Sequence, residues 1–132
     1  MENQRYLENI DFFMKRHSEA AFCYDVGHEH CFTNGIDFMN LYGDRLAALH
    51  IHDNVCGVNT DNHLLPFDGK IDYTLPAKRI AESGFKGTLM LEVTKTASVN
   101  GVNVYNTMTD GEFYERAFSA AEKLAVTVES FR

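Results

Sequence analysis

Apolar positions along this chain change period several times, and each change marks an element. Tyr6, Leu7, Ile10, Phe13, Met14 and His17 fall at helical spacing, which predicts an amphipathic helix over 4–17. The run Ala20-Ala21-Phe22-Cys23-Tyr24-Asp25 is short, apolar and aromatic, as expected of a strand buried on both faces, with Asp25 at its C-terminal end and a Gly27 loop after it. Ile36 to Tyr42 predicts a short helix stopped at Gly43. Leu46 to His52 predicts a second strand, followed by a polar loop from Asp53 to about Lys70 that holds Asp61 and His63. Asp72 or Thr74 is placed to cap a helix with Pro76 in its first turn, Ile80 and Ala81 on its inner side and Gly84 past its end. Gly87 to Val93 predicts a third strand, and a second polar loop spans Thr94 to Met108. Thr109-Asp110-Gly111-Glu112 has the form of a capping box and opens a helix with Phe113, Ala117, Ala121, Leu124 and Val128 in one stripe. A helix followed by three strand–helix units predicts an α/β domain with a parallel sheet.

Composition narrows the function. A chain of 132 residues, 45% of them hydrophobic, is expected to form a single domain, 1–132. Its 12 basic and 19 acidic residues give a net charge of −7, with no Lys/Arg run to line a nucleic-acid backbone, so nucleic acid is not the expected partner. No apolar stretch approaches the ~18–20 residues of a membrane span, and the N-terminus has no signal pattern, so a cytoplasmic protein is expected. Cys23, Cys31 and Cys56 are odd in number and lack Cys-x-x-Cys spacing, which predicts free thiols.

The candidate chemistry emerges when the strands are aligned by their ends. Strand residues alternate in direction, so Cys23 and Asp25 share a face, as do Ala48, His50 and His52, and as do Thr88, Met90 and Glu92. Ligands of parallel sheets bind at the C-terminal ends of the strands, so Asp25, His50 and Glu92 are expected to converge at one mouth. Two carboxylates and one imidazole suit Zn²⁺, Mn²⁺, Co²⁺ or Fe²⁺. Each residue alone has a plainer role: Asp25 as a cap, Glu92 as a partner of Lys95, and His50 as a hydrogen-bonded core residue. His52 and Asp53 are expected to shape the rim, with His52 contacting substrate. Asp61-Asn62-His63 and Asp25-Val26-Gly27-His28 supply further donors for a site of more than one metal.

The runs CYDVGH, ALHIHDN, TDNHLLPFDGKIDY and GTLMLEV, in this order, resemble the C-terminal part of the xylose isomerase-like TIM-barrel superfamily, which includes sugar isomerases and epimerases and the endonuclease IV-like enzymes of AP endonuclease family 2. The resemblance implies a partial TIM (β/α) barrel, made of the last three βα units and a preceding helix. In the epimerases a divalent metal is held by two Glu, one Asp and one His, and the matching positions are Asp25, His50 and Glu92; Glu92 also resembles an acid/base glutamate and His28 a substrate contact. The implied activity is isomerisation or epimerisation of a sugar or sugar phosphate through a metal-stabilised enediolate. In the endonucleases a three-zinc cluster matches Asp25, His28, His50, Asp61, His63 and Glu92, which implies phosphodiester hydrolysis at abasic DNA instead. An eight-stranded barrel takes ~250 residues, so three units are expected to represent either a truncated, non-catalytic remnant or a homo-oligomer whose copies complete the sheet.

Overall fold

The computed structural model describes residues 7–33 and 36–132. Helix α1 (Leu7–Arg16) leads to strand β1 (Phe22–Asp25), α2 (Val26–Cys31), α3 (Phe38–Tyr42), β2 (Leu46–His50), α4 (Thr74–Glu82), the short strands β3 (Ser98–Val99) and β4 (Val102–Asn103), and the long α5 (Asp110–Glu129). Residues 4–6 of the expected first helix lie outside the described residues. Within α1, Ile10 and Met14 are buried, whereas Phe13 stacks on His17 at the surface, 4.4 Å between ring centroids.

β1 and β2 pair in parallel, with Cys23 opposite Ala48, Tyr24 opposite Leu49 and Asp25 opposite His50. The register breaks between Phe22 and Cys23, so Ala47 is an extra residue and lies exposed. Phe22, Tyr24, Leu49 and Ile51 point into the main core, where α1, α3, α4 and α5 contribute Met14, Phe38, Ile80 and Leu124. Burial of each such side chain stabilises the fold by about 1.5–3 kcal/mol. The opposite face carries Ala48 and Met90, both exposed.

Three sequence expectations change. The third strand is reduced to a single parallel bridge between Ile51 and Leu91, with Ile51 N–H donating to Met90 O and Glu92 N–H to Ile51 O, both at 2.9 Å. β2 pairs with β1 over residues 46–50, and the third segment meets this strand beyond that ladder, at Ile51. The Gly27 loop is instead helix α2, because the Asp25 carboxylate accepts the His28 N–H at 2.7 Å and caps a helix directly at the strand end. The loop at 94–108 contains the β3–β4 hairpin, turned by Asn100 and Gly101 at φ 52° and 78°, the left-handed pair of a tight two-residue turn. Helix α5 follows its expected form, with the full Thr109–Glu112 capping box and Phe113, Ala117, Leu124 and Val128 buried. No helix among the described residues is long and apolar enough to cross a membrane, and the three cysteines are free thiols.

The long loop after β2 is organised by Asp53, which is fully buried and does not shape the rim as expected. Its carboxylate accepts from the backbone N–H of Asn54 (2.7 Å), Phe67 (3.0 Å) and Ile71 (3.1 Å), while its backbone bridges Leu64. Burial pushes this carboxyl upward and the backbone donors pull it back. Gly69 leaves the space this arrangement needs, since a Cβ there would meet Asp53 Oδ1 at 2.2 Å and Asn54 O at 2.4 Å.

Outside the sheet, Arg79 of α4 joins buried Glu29 of α2 and Asp37 at the start of α3, each at 2.8 Å. Burial raises the Glu29 carboxyl, and the Arg79 guanidinium opposes that rise. Arg79→Met therefore costs about 3–5 kcal/mol at pH 7 by denaturant unfolding. An acid raised in the folded state takes up a proton before the unfolded chain does, so this deficit narrows as pH falls. Asp53→Ala removes three bonds to a charged acceptor, each worth ~1.5–3 kcal/mol. Amide exchange at Phe67 and Ile71 should accelerate by more than about tenfold, while α5 keeps its protection.

Candidate metal centre

At the C-terminal ends of the parallel segments, β1, α2, β2 with its continuation, the third segment and one loop deliver seven polar side chains to one place. Asp25 ends β1 and is wholly buried; its Oδ2 lies 3.2 Å from His28 Nδ1 in the first turn of α2. His50 ends β2, and its Nδ1 lies 3.8 Å from Asp25 Oδ2 and 3.3 Å from Glu92 Oε2, beyond the Leu91 bridge. The strand register brings Asp25 beside His50, and the Ile51–Leu91 bridge brings Glu92 to the other side of it.

The loop held by Asp53 returns Asp61 and His63 over this group. Asp61 stands 3.5 Å from His28 Nε2 and 3.2 Å from His63 Nε2. His63, at φ 52°, turns its Nδ1 to the Glu92 carbonyl, which accepts a hydrogen bond from it at 2.7 Å, and Nε2 faces Asp61. Burial would raise the Asp61 carboxyl, but His28 and His63 together hold it well below the usual carboxylate range. The bond to Asp61 pushes His63 up to about 9 against the effect of burial.

His52, expected at the rim, has no exposure and lies at the centre. Its Nε2 is 3.2 Å from Asp25 Oδ1 and 3.8 Å from Asp61 Oδ1, its ring stacks on His63 at 4.2 Å, and its carbonyl accepts from the Tyr73 hydroxyl at 3.0 Å. Period-two alternation placed it on the correct face but carried no signal of depth. Nor did it signal the Tyr73 support.

Two donor sets result, each with its ligand atoms within 4.8 Å of one another: His28, His52, Asp61 and His63, and Asp25, His52 and Glu92. Both ring nitrogens of His52 and Oε2 of Glu92 are buried without a hydrogen bond. Imidazoles and carboxylates without thiolates fit a divalent transition metal, and a cation would satisfy Nε2 of His52 and Oε2 of Glu92. His17 is exposed, and His30 bonds the Val26 carbonyl at 2.9 Å, so neither joins the cluster.

Comparison with known proteins places the chain in a family. The chain is 33% identical over 132 residues to the uncharacterized protein y4fM of Sinorhizobium fredii (strain NBRC 101917 / NGR234), covering 98% of this chain and 39% of that relative's length. A family model described as the xylose isomerase-like TIM barrel matches residues 3–123. That match runs from α1 through all seven clustered side chains and into α5, and on this ground the chain belongs to the xylose isomerase-like TIM barrel family.

Proposed function

We propose that this chain forms one wall of the active site of a metal-dependent sugar or sugar-phosphate isomerase or epimerase, as the last three βα units of a barrel. The observation that carries the reading is the meeting of Asp25 and Glu92 at His50 Nδ1, 3.8 and 3.3 Å away. Asp25, His50 and Glu92 would hold a divalent cation, which supplies Lewis-acid polarisation of a sugar carbonyl and its neighbouring hydroxyl. Glu92 is half-exposed at the mouth, and it takes a proton from the carbon between those groups and returns it. His28 is steadied at Nδ1 by Asp25, and its Nε2 serves a substrate hydroxyl. The acidic chain, at −7, suits a compact sugar better than a polyanion.

A second reading, endonuclease IV-like phosphodiester hydrolysis, is favoured by one feature: Asp61 lies between His28 and His63, which adds a second donor set beside the first. Paired ions suit the attacking and leaving oxygens of such a reaction.

Elemental mass spectrometry on protein purified without chelator separates the readings. About one metal per chain, lost in His50→Ala and kept in Asp61→Ala, is expected of the first; two or three, reduced in Asp61→Ala, would favour the second. No metal in the wild type would defeat both. For the reaction itself, Glu92→Gln should slow solvent-deuterium exchange into an added ketose by at least about 100-fold. Unchanged exchange would remove Glu92 from its role.

A further inference from the structure

We propose that His52 is itself a metal donor, the one shared by both donor sets, and that Gly27 is the residue that positions it. The inference rests on the metal-binding reading above and assigns within it a ligand that the strand-end core of Asp25, His50 and Glu92 does not contain.

The first observation is a buried imidazole that faces carboxylates without a hydrogen bond to either. His52 has no exposure, and neither Nδ1 nor Nε2 makes a hydrogen bond. Buried polar atoms in folded proteins almost always have a partner. Around Nε2 stand carboxylate oxygens of Asp25 at 3.2 Å and Asp61 at 3.8 Å, which together with the imidazole nitrogen make a donor set for a divalent cation. The ring is clamped for that purpose: His63 stacks on one side, His28 meets it edge-on at 5.3 Å, and the Tyr73 hydroxyl holds its backbone.

The second observation is the space the ring occupies. A Cβ on Gly27 would meet His52 Cε1 at 2.0 Å, Nε2 at 2.2 Å and Nδ1 at 2.4 Å. Gly27 lies inside α2 and is not among the residues of positive φ, so its conformation requires no glycine. Glycine within a helix is less favourable than alanine. What glycine provides here is room for the imidazole against the first turn of α2, between the two carboxylates.

The test is Co²⁺ binding to chelator-stripped chain, followed by equilibrium dialysis and by the visible absorption of the ion, in wild type, His52→Ala, Gly27→Ala and the double variant. Circular dichroism in chelator reports folding. Loss of His52 should weaken Co²⁺ binding by more than about tenfold and change the visible spectrum. Gly27→Ala should do the same by displacing the ring, and the double variant should match His52→Ala alone, because the added methyl then enters vacated space. If Gly27→Ala does not fold, refolding of the double variant supports the proposal and failure of both overturns it. Wild-type affinity and spectrum in His52→Ala would overturn the donor role while leaving the metal centre standing. An equal loss from Gly27→Ala in both backgrounds would overturn the positioning role. No Co²⁺ on the wild type would overturn this inference together with the reading beneath it.

Discussion

The carboxylate of Asp25 is wholly buried at the point where β1 becomes α2, and the surrounding architecture is arranged around it. An anion taken out of water costs several kcal/mol unless nearby groups meet it. Here one oxygen caps α2 through the His28 N–H, and the imidazoles of His28, His50 and His52 lie within 3.8 Å. The same residue thus ends a strand, starts a helix and anchors the cluster. Parallel pairing sets Asp25 opposite His50, and a slip of one residue would turn His50 to the core face.

A second buried carboxylate does comparable work for the backbone. His52 and Asp53 are neighbours in sequence but point to opposite sides, so the end of one strand feeds both the cluster and the loop that covers it. Asp53 gathers the N–H groups of Asn54, Phe67 and Ile71, and the loop so held carries Asp61 and His63 back over Asp25 and His50. Precision in an irregular loop comes here from a charged acceptor rather than from a ladder of strand bonds.

Much of this was legible in the chain. The stripe and capping box of α5, the Pro76 and Gly84 limits of α4, and the convergence of Asp25, His50 and Glu92 follow from periodicity and strand-end alignment alone. Other features were present as signals too short to weigh. Asn100-Gly101 is a hairpin dipeptide, but only two residues pair on each side of it. Asp25 before Gly27 reads equally as a strand end or a helix cap, and it serves as both. The exposed Phe13, placed by spacing on the inner face of α1, shows that period fixes direction only as closely as the helix is rotated against its neighbours.

The sequence by itself determined which residue types stand at which strand ends, because alternation and capping are local properties of the backbone. Only the tertiary structure decided how deep each one sits. His52 and Asp53, expected together at a rim, are both fully buried, one among imidazoles and carboxylates and the other beneath a loop. Depth depends on what other segments lay over a residue, here Tyr73, the 53–70 loop and Gly27, whose missing side chain leaves the room that the His52 ring fills. Those contacts join positions up to dozens of residues apart, and no local pattern encodes them.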